Sequence, residues 1–289
     1  MDIHGMPVDF VENDWLRVEF LTTAGPRIVR VMLKGASENL FAEAPDASWE
    51  TPNGAYKLYG GHRLWVAPET FPETSYPDNA PVTVKKFLNG VRLFQPPEKT
   101  TGLEKSMELF LSSTAAAVTV VHRIVNRGAQ KHKVAPWAIT MLPLGGVAIL
   151  PQLNLQNKKF PLGPNRHLTF WNCSRLDDAR LEMRDDATLV HGRGALPPFK
   201  VGIMNKNGRA AYWRAGLMFV KHFDAELKHA YPDWDSNAEV FVNDSYLELE
   251  TLGALNTLQP NTNVSHVETW SWHRDVRDTD AAVARLSKL

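Results

Sequence analysis

Glu239-Val-Phe-Val-Asn-Asp-Ser-Tyr-Leu-Glu-Leu-Glu-Thr-Leu-Gly253, followed beyond a Pro-Asn turn by Val264-Ser-His-Val-Glu-Thr-Trp-Ser-Trp272, decides the fold. Apolar and polar residues alternate here with a period of two, which is the period of a β-strand. Within Tyr246–Glu250 the alternation puts Leu247 and Leu249 on one face and Tyr246, Glu248 and Glu250 on the other. Acids opposite leucines suit two settings. One is a sheet face turned to water; the other is a concave sheet whose polar face lines a site.

Outward from this stretch the same short alternation recurs. Trp15–Leu21, Arg27–Leu33, Ser106–Leu111, Ala117–Val125, Lys133–Leu142 and Val147–Leu150 read as strands. So do His167–Trp171, Lys200–Met204, Arg209–Trp213, Gly216–Phe223, Ala238–Val242, Tyr246–Thr251 and Val264–Trp272. Asn89-Gly90, between Val82–Leu88 and Val91–Phe94, fits a type I′ hairpin turn, and Asn205-Lys-Asn-Gly208 reads as another hairpin-type turn. Asp280–Leu289 has helical character, and Asp177–Met183 reads as a short turn. Thr70–Asn79 and Asp177–Pro198 read as irregular, and neither as a domain boundary. Many short strands divided by turn signals predict an all-β protein: one large antiparallel β-sandwich domain over residues 1–289 with few short helices.

Composition narrows the function. The 289 residues carry 32 Lys+Arg against 32 Asp+Glu, so the even charge argues against a nucleic-acid partner. No apolar run approaches a membrane span, and the first residues lack the basic start and apolar stretch of a signal peptide. With one cysteine, Cys173, the expected setting is cytoplasmic. The 10 histidines show neither a helical i, i+4 pair nor a His-x-His strand pattern, so no metal and no cofactor are expected. Nucleophile-elbow, phosphate-loop and dinucleotide signatures are missing.

Four segments carry a resemblance. "LRVEFLTTAGPRIVRVMLKGASENLFAE", "YGGHRLWVAPE" (Tyr59–Glu69), "PWAITMLPLGGVAILPQ" (Pro136–Gln152) and "YLELETLGALNTLQPNTNVSHVETWSW" resemble the galactose mutarotase-like (aldose 1-epimerase-like) superfamily, in an uncharacterised bacterial branch. The resemblance implies a supersandwich with one concave sheet that holds a carbohydrate. It also implies an isomerase that opens the ring of a sugar with a general base and a general acid. In the family the base is a Glu on the strand that here reads Leu249-Glu250-Thr251, which implies Glu250, with Glu248 on the same face. The mid-chain stretch where mutarotases carry a His reads Val134–Met141 and holds none.

His62, after Gly60-Gly61, is the substitute expected as acid, because an imidazole titrates near neutrality. Its neighbour Arg63 resembles the family's sugar-binding Arg. Adjacent strand residues face opposite sides, so both enter one site only if the segment bulges. Trp65 and Trp137 are expected to stack on the apolar face of a sugar. Gln152, Lys221, Glu239 and Glu248 are further expected contacts, with Lys221 chosen over its neighbour His222. The expected partner is a small carbohydrate, and the expected state a monomer or homodimer. The alternatives are a non-catalytic sugar-binding or sensing module, and a glycoside hydrolase or polysaccharide lyase on the same sandwich.

Overall fold

The computed structural model describes residues 2–153 and 158–289. Two large antiparallel sheets face each other. The larger has 11 strands and runs, edge to edge, Asp2–Ile3, Met6–Glu12, Leu16–Leu21, Arg27–Leu33, His62–Ala67, His132–Pro143, Tyr246–Leu252, Ala238–Val242, Phe199–Ile203 and Thr169–Phe170. Asn256–Leu258 also pairs with the start of His132–Pro143. The smaller has 10 strands, in the order Leu181–Met183, Ala187–His191, Val147–Pro151, Arg209–Arg214, Leu217–Phe223, Asn263–His273, Ala117–Asn126, Leu103–Leu111, Gly90–Phe94 and Thr83–Phe87. The architecture is the expected all-β sandwich, with one regular helix at Thr279–Leu286 among the described residues.

The main core lies between the sheets. Leu247 and Leu249 enter it from the larger sheet and meet a layer that includes Leu109, Val120, Phe219 and Trp270. The alternation in Tyr246–Glu250 is thus reproduced in space. The expected hairpin forms, but with Phe87 paired to Gly90 its loop is Leu88-Asn89, of which only Asn89 takes a positive φ, 61°, so the turn is not the expected type I′ at Asn89-Gly90.

Two readings are corrected. The turn at Asn205–Gly208 is not a hairpin, because Phe199–Ile203 and Arg209–Arg214 belong to different sheets. Gly208 is needed there: its φ is +64°, and a Cβ would sit 2.2 Å from the Phe223 carbonyl. Asp177–Pro198 is not irregular throughout, since Leu181–Met183 and Ala187–His191 pair within it. The pattern there is too short to show a period.

A third sheet was not anticipated. Glu43–Thr51 and Gly54–Gly60 form a two-stranded ribbon. Its Tyr56 and Leu58 pack on Trp65, Trp137, Ile139 and Met141, on the outer side of the larger sheet. Central strands of that sheet are therefore covered on both faces, which explains why Val134–Leu142 is almost continuously apolar. Gly60 and Gly61 return the chain from ribbon to sheet with φ of 98° and 72°. A Cβ at Gly61 would lie 2.0 Å from the Ile28 carbonyl oxygen.

One polar chain runs through the interior. The Nδ1 of His122 faces the His266 carbonyl oxygen at 3.0 Å, and a carbonyl only accepts, so this nitrogen carries the hydrogen. The Nε2 of a neutral His122 then accepts from His62 Nε2–H at 2.7 Å, and His62 Nδ1 accepts from the Thr140 hydroxyl at 2.8 Å. Beside them Lys221 pairs with Glu268 at 2.9 Å, and Thr251 and Trp270 donate to the same carboxylate. Burial holds the His62 and His122 imidazoles below their ordinary range and takes His266 down to about 3. Burial pushes Glu268 up, but Lys221 with His122 and His266 outweighs it and brings the carboxyl down to about 2.

These shifts fix a sign. A histidine depressed in the folded state keeps its full contribution above its unfolded pKa and loses it as pH falls. Replacing both His62 and His122 by Leu removes two such groups. The fall in unfolding free energy between pH 6.5 and 5 is expected to become shallower by up to ~1.4 kcal/mol per pH unit for each imidazole. Urea unfolding of wild type and double variant at both pH values measures this. Acids elsewhere contribute equally to both proteins and cancel in the difference.

Candidate functional site

The register of the larger sheet gathers its polar side chains on the outer face. Arg63 pairs with Ile139, Ile139 with Glu250, Glu250 with Glu239, and Glu239 with Gly202, one row across five strands. The next row holds Met141, Glu248, Phe241 and Lys200. Ion pairs join the two rows, one between diagonal neighbours, Lys200 and Glu239, and two that reach across an intervening strand. Arg63 Nη2 lies 2.8 Å from Glu248 Oε1. Lys200 Nζ lies 2.7 Å from Glu239 Oε2 and 2.9 Å from Glu250 Oε2. Trp137 donates its indole N–H to the same Glu250 oxygen at 2.7 Å.

Aromatic rings frame these charges. The Lys200 ammonium sits 4.4 Å from the Trp137 ring centre and 4.6 Å from that of Trp171. The Arg63 guanidinium lies 4.4 Å from the Trp65 ring. Trp65 meets Trp137 edge to face, and Trp49, from the ribbon, closes on Trp65 in the same manner. Between them is a cavity of about 270 Å³, lined by Arg63, Glu248, Lys200, Tyr246, Phe241 and the four tryptophans, with Glu69 at its edge. Small-molecule sites usually span ~300–1,000 Å³, so this one suits something near a single sugar ring.

Electrostatics differ along the row. Burial raises Glu248 above the ordinary carboxylate range even though Arg63 opposes the shift. Burial raises Glu239 further, with Glu250 and Asp233 adding to the effect. Burial lowers the proton affinity of Lys200, but the two glutamates outweigh it and hold the ammonium charged. One ammonium between two carboxyls balances only one of them, and Glu239 is the one that favours keeping its proton. Several atoms have no hydrogen-bond partner in the protein: Nε and Nη1 of Arg63, and Oε1 of Glu250 and Glu239.

The residues expected from sequence separate into two groups. Arg63, Trp65, Trp137 and Glu248 line the cavity. Glu250 and Glu239 lie beneath it, fully buried, with Lys200 and Trp137 over Glu250. The other expected residues are elsewhere. His62 points to the opposite face of its strand, into the His122 chain, because the segment does not bulge and neighbours alternate. Lys221 belongs to the smaller sheet and points inward to Glu268. Gln152 bonds Thr188 at 3.1 Å, beside Arg166 and Arg184 in a different hollow.

Lys200, Trp49 and Trp171 were not anticipated. A signal for Lys200 exists: Val201 and Ile203 take the core face, which leaves Lys200 on the face of the acids. Trp171 closes the segment His167–Trp171, of which only Thr169–Phe170 pairs in the sheet, and Trp49 comes from the ribbon strand Glu43–Thr51 that the pattern did not locate.

Other hollows offer less. One of about 330 Å³ is bounded by Leu142, Tyr212, Phe219 and Trp272, and its one acid, Glu38, is tied to Arg214. His62, His122 and Glu268 place one ligand atom each within 4.8 Å of one another, a set that could in principle hold a metal ion. Coordination there requires giving up the His62–His122 hydrogen bond, and Lys221 already supplies a cation to Glu268. Among the described residues no helix is long and apolar enough to cross a membrane.

No protein-family model matches the sequence, and no curated protein matches it. Solved structures do. A candidate aldose 1-epimerase from Escherichia coli K12 is 14% identical, with a TM-score of 0.56 over 93% of this chain and 100% of its own. A galactose mutarotase-like protein from Lactobacillus casei ATCC 334 is 10% identical, with a TM-score of 0.57 over 92% and 100%. A TPR-domain containing protein from Parabacteroides distasonis ATCC 8503 is 14% identical, with a TM-score of 0.64 over 93% of this chain and 47% of its own. At such identities the likeness lies in the fold: the chain has the galactose mutarotase-like sandwich.

The Lys200 bridge should dominate local stability. Lys200→Met leaves two buried carboxyls without their cation, and removing one partner of a buried pair costs ~3–5 kcal/mol. Urea unfolding is expected to show that loss at pH 7. Adding Glu239→Gln and Glu250→Gln to Lys200→Met is expected to recover most of it.

Proposed function

We propose that this protein binds the pyranose ring of an aldose in the cavity between Arg63, Lys200 and Glu248, and interconverts its anomers by opening the ring. One observation carries the reading. Glu248 faces a one-ring, tryptophan-lined cavity, beside the Arg63 guanidinium with which it pairs at 2.8 Å. Aromatic rings stack on the C–H face of a sugar, and fixed charged donors bind its hydroxyls.

Ring opening moves one proton. Glu248, ionised, takes the hydrogen of the anomeric hydroxyl. The freed electron pair forms the C1=O1 double bond as C1–O5 breaks. The ring oxygen then takes a proton. Both oxygens are attached to C1, so one carboxyl can take the proton from the first and return it to the second. This suits a cavity lined by no imidazole. Lys200 and Arg63 supply N–H donors for the charge that develops on the ring oxygen. Rotation about the C1–C2 bond and reclosure give the other anomer. Glu250, the base implied by the resemblance, acts in this reading through Lys200, which it anchors.

A non-catalytic sugar-binding module is the second reading. What favours it is that Glu248 is held in an ion pair before any ligand arrives.

Polarimetry on freshly dissolved α-glucose and α-galactose separates the two. The enzyme reading expects acceleration over buffer, lost by ~10²–10⁴-fold in Glu248→Gln. It also expects activity to fall as pH drops through a pKa above the ordinary glutamate value. Binding of these sugars without acceleration supports the module. Neither binding nor acceleration, across several aldoses, rejects both.

A further inference from the structure

A second hollow of about 180 Å³ adjoins the cavity, lined by Thr169, Phe170, Trp171, Asp233 and Trp234. Trp171 lines both, so the two are neighbours across one ring. Several features show that this hollow is built.

Trp171 lies against the sheet at Gly202. A Cβ on that glycine would come within 3.0 Å of the indole and 2.8 Å of the Ser236 hydroxyl. Trp234, across the hollow, is 85% exposed. Its backbone is the reverse of slack. Asp233, Trp234 and Asp235 have φ of 51°, 56° and 62°, so the turn Pro232–Asp235 is left-handed rather than helical. Three consecutive residues with a Cβ in this region are costly, and such strain persists where the surroundings enforce it. Here they do. The Asp235 carboxylate accepts from the Tyr231 N–H at 2.9 Å, Ser236 N–H donates to the Pro232 carbonyl at 3.0 Å, and Ser236 bonds Thr169 at 3.1 Å. The buried Tyr231 and Pro232 anchor the start of the turn.

A rigid turn thus holds a large apolar ring out in water. Beside it is Asp233, an acceptor for hydroxyls. An exposed indole, a second indole across a small gap and an acid form the same kind of site as the first cavity, without its cations.

We infer that this hollow is a second saccharide subsite. The ligand is then a reducing glycan of at least two linked sugars, its reducing unit in the first cavity and the next unit between Trp171 and Trp234. The inference rests on the sugar reading of the first cavity and adds the size of the substrate to it. An exposed Trp on a pre-set turn loses little freedom on binding, so its stacking goes directly into affinity. The mouth of the Arg63–Lys200 cavity selects the ring that reacts; the Trp234 platform selects chain length.

Calorimetric titration of the full chain tests this, with glucose, galactose and mannose against maltose, cellobiose, lactose and mannobiose. At least one disaccharide is expected to bind on the order of tenfold tighter than its reducing-end monosaccharide. Trp234→Ala is expected to erase that advantage while leaving the monosaccharide affinity within about twofold. Trp234 is exposed, so an unchanged thermal transition verifies that the variant is folded. Monosaccharides that bind as tightly as every disaccharide overturn the second subsite and leave the first reading standing. So does a Trp234→Ala protein that keeps the disaccharide advantage. Failure of every sugar to bind overturns the reading of the first cavity, and this inference with it.

Discussion

A buried charge must have a partner, and in this protein one ammonium meets that demand for two strands at once. Lys200 stands on Phe199–Ile203, Glu239 on Ala238–Val242 and Glu250 on Tyr246–Leu252, three consecutive strands of the larger sheet. Slipping any of them by one residue would turn its charge into the leucine and valine core. The alternating pattern and the ion pairs therefore enforce the same register. Trp137 adds a fourth strand through its bond to Glu250.

The site grows out of this lattice. With Glu239 and Glu250 occupied by Lys200, Glu248 is the one of these three glutamates that lines the cavity, and its partner Arg63 comes from the far side of the same group of strands. The ribbon then closes over the row with Trp49 and Tyr56, and drives water from the charges. Burial does the chemical tuning: it raises Glu248 and Glu239 together, while the two cations keep the site from accumulating negative charge. A second buried pair, Lys221 with Glu268, does similar work inside the sandwich without facing any cavity. The two sets lie on opposite faces of the same central strands.

Much of this was legible in the chain. The period of two in Tyr246–Glu250 set which side chains share a face, and the coordinates agree. Arg63, Trp65, Trp137 and Glu248 stand at alternate positions of strands that the pattern locates, so they could be found. His62 and Lys221 show the limit. Each has the right chemistry and sits in a correctly read strand, yet each points into the core. A polar side chain on a strand does not reveal whether its face meets a ligand or a buried partner. His62 is satisfied by His122, 60 residues away in the other sheet. Gln152 stands just past the strand Val147–Pro151 of the smaller sheet, as Lys221 stands on another strand of that sheet, and a strand pattern carries no sheet assignment.

The sequence by itself determined the alternation, hence strands rather than helices, the two faces of each strand and a sandwich to bury them. Those are local properties, fixed by the geometry of successive Cα–Cβ bonds. Only the tertiary structure decided which outward face became a cavity, which acid faces it, that Trp49 and Trp171 help to line it, and that Trp234 stands over the hollow beside it. These depend on strands paired across long stretches of chain and on a ribbon folding back over a sheet. A contact between distant segments is set by the packing of the whole, and no short window of residues contains it.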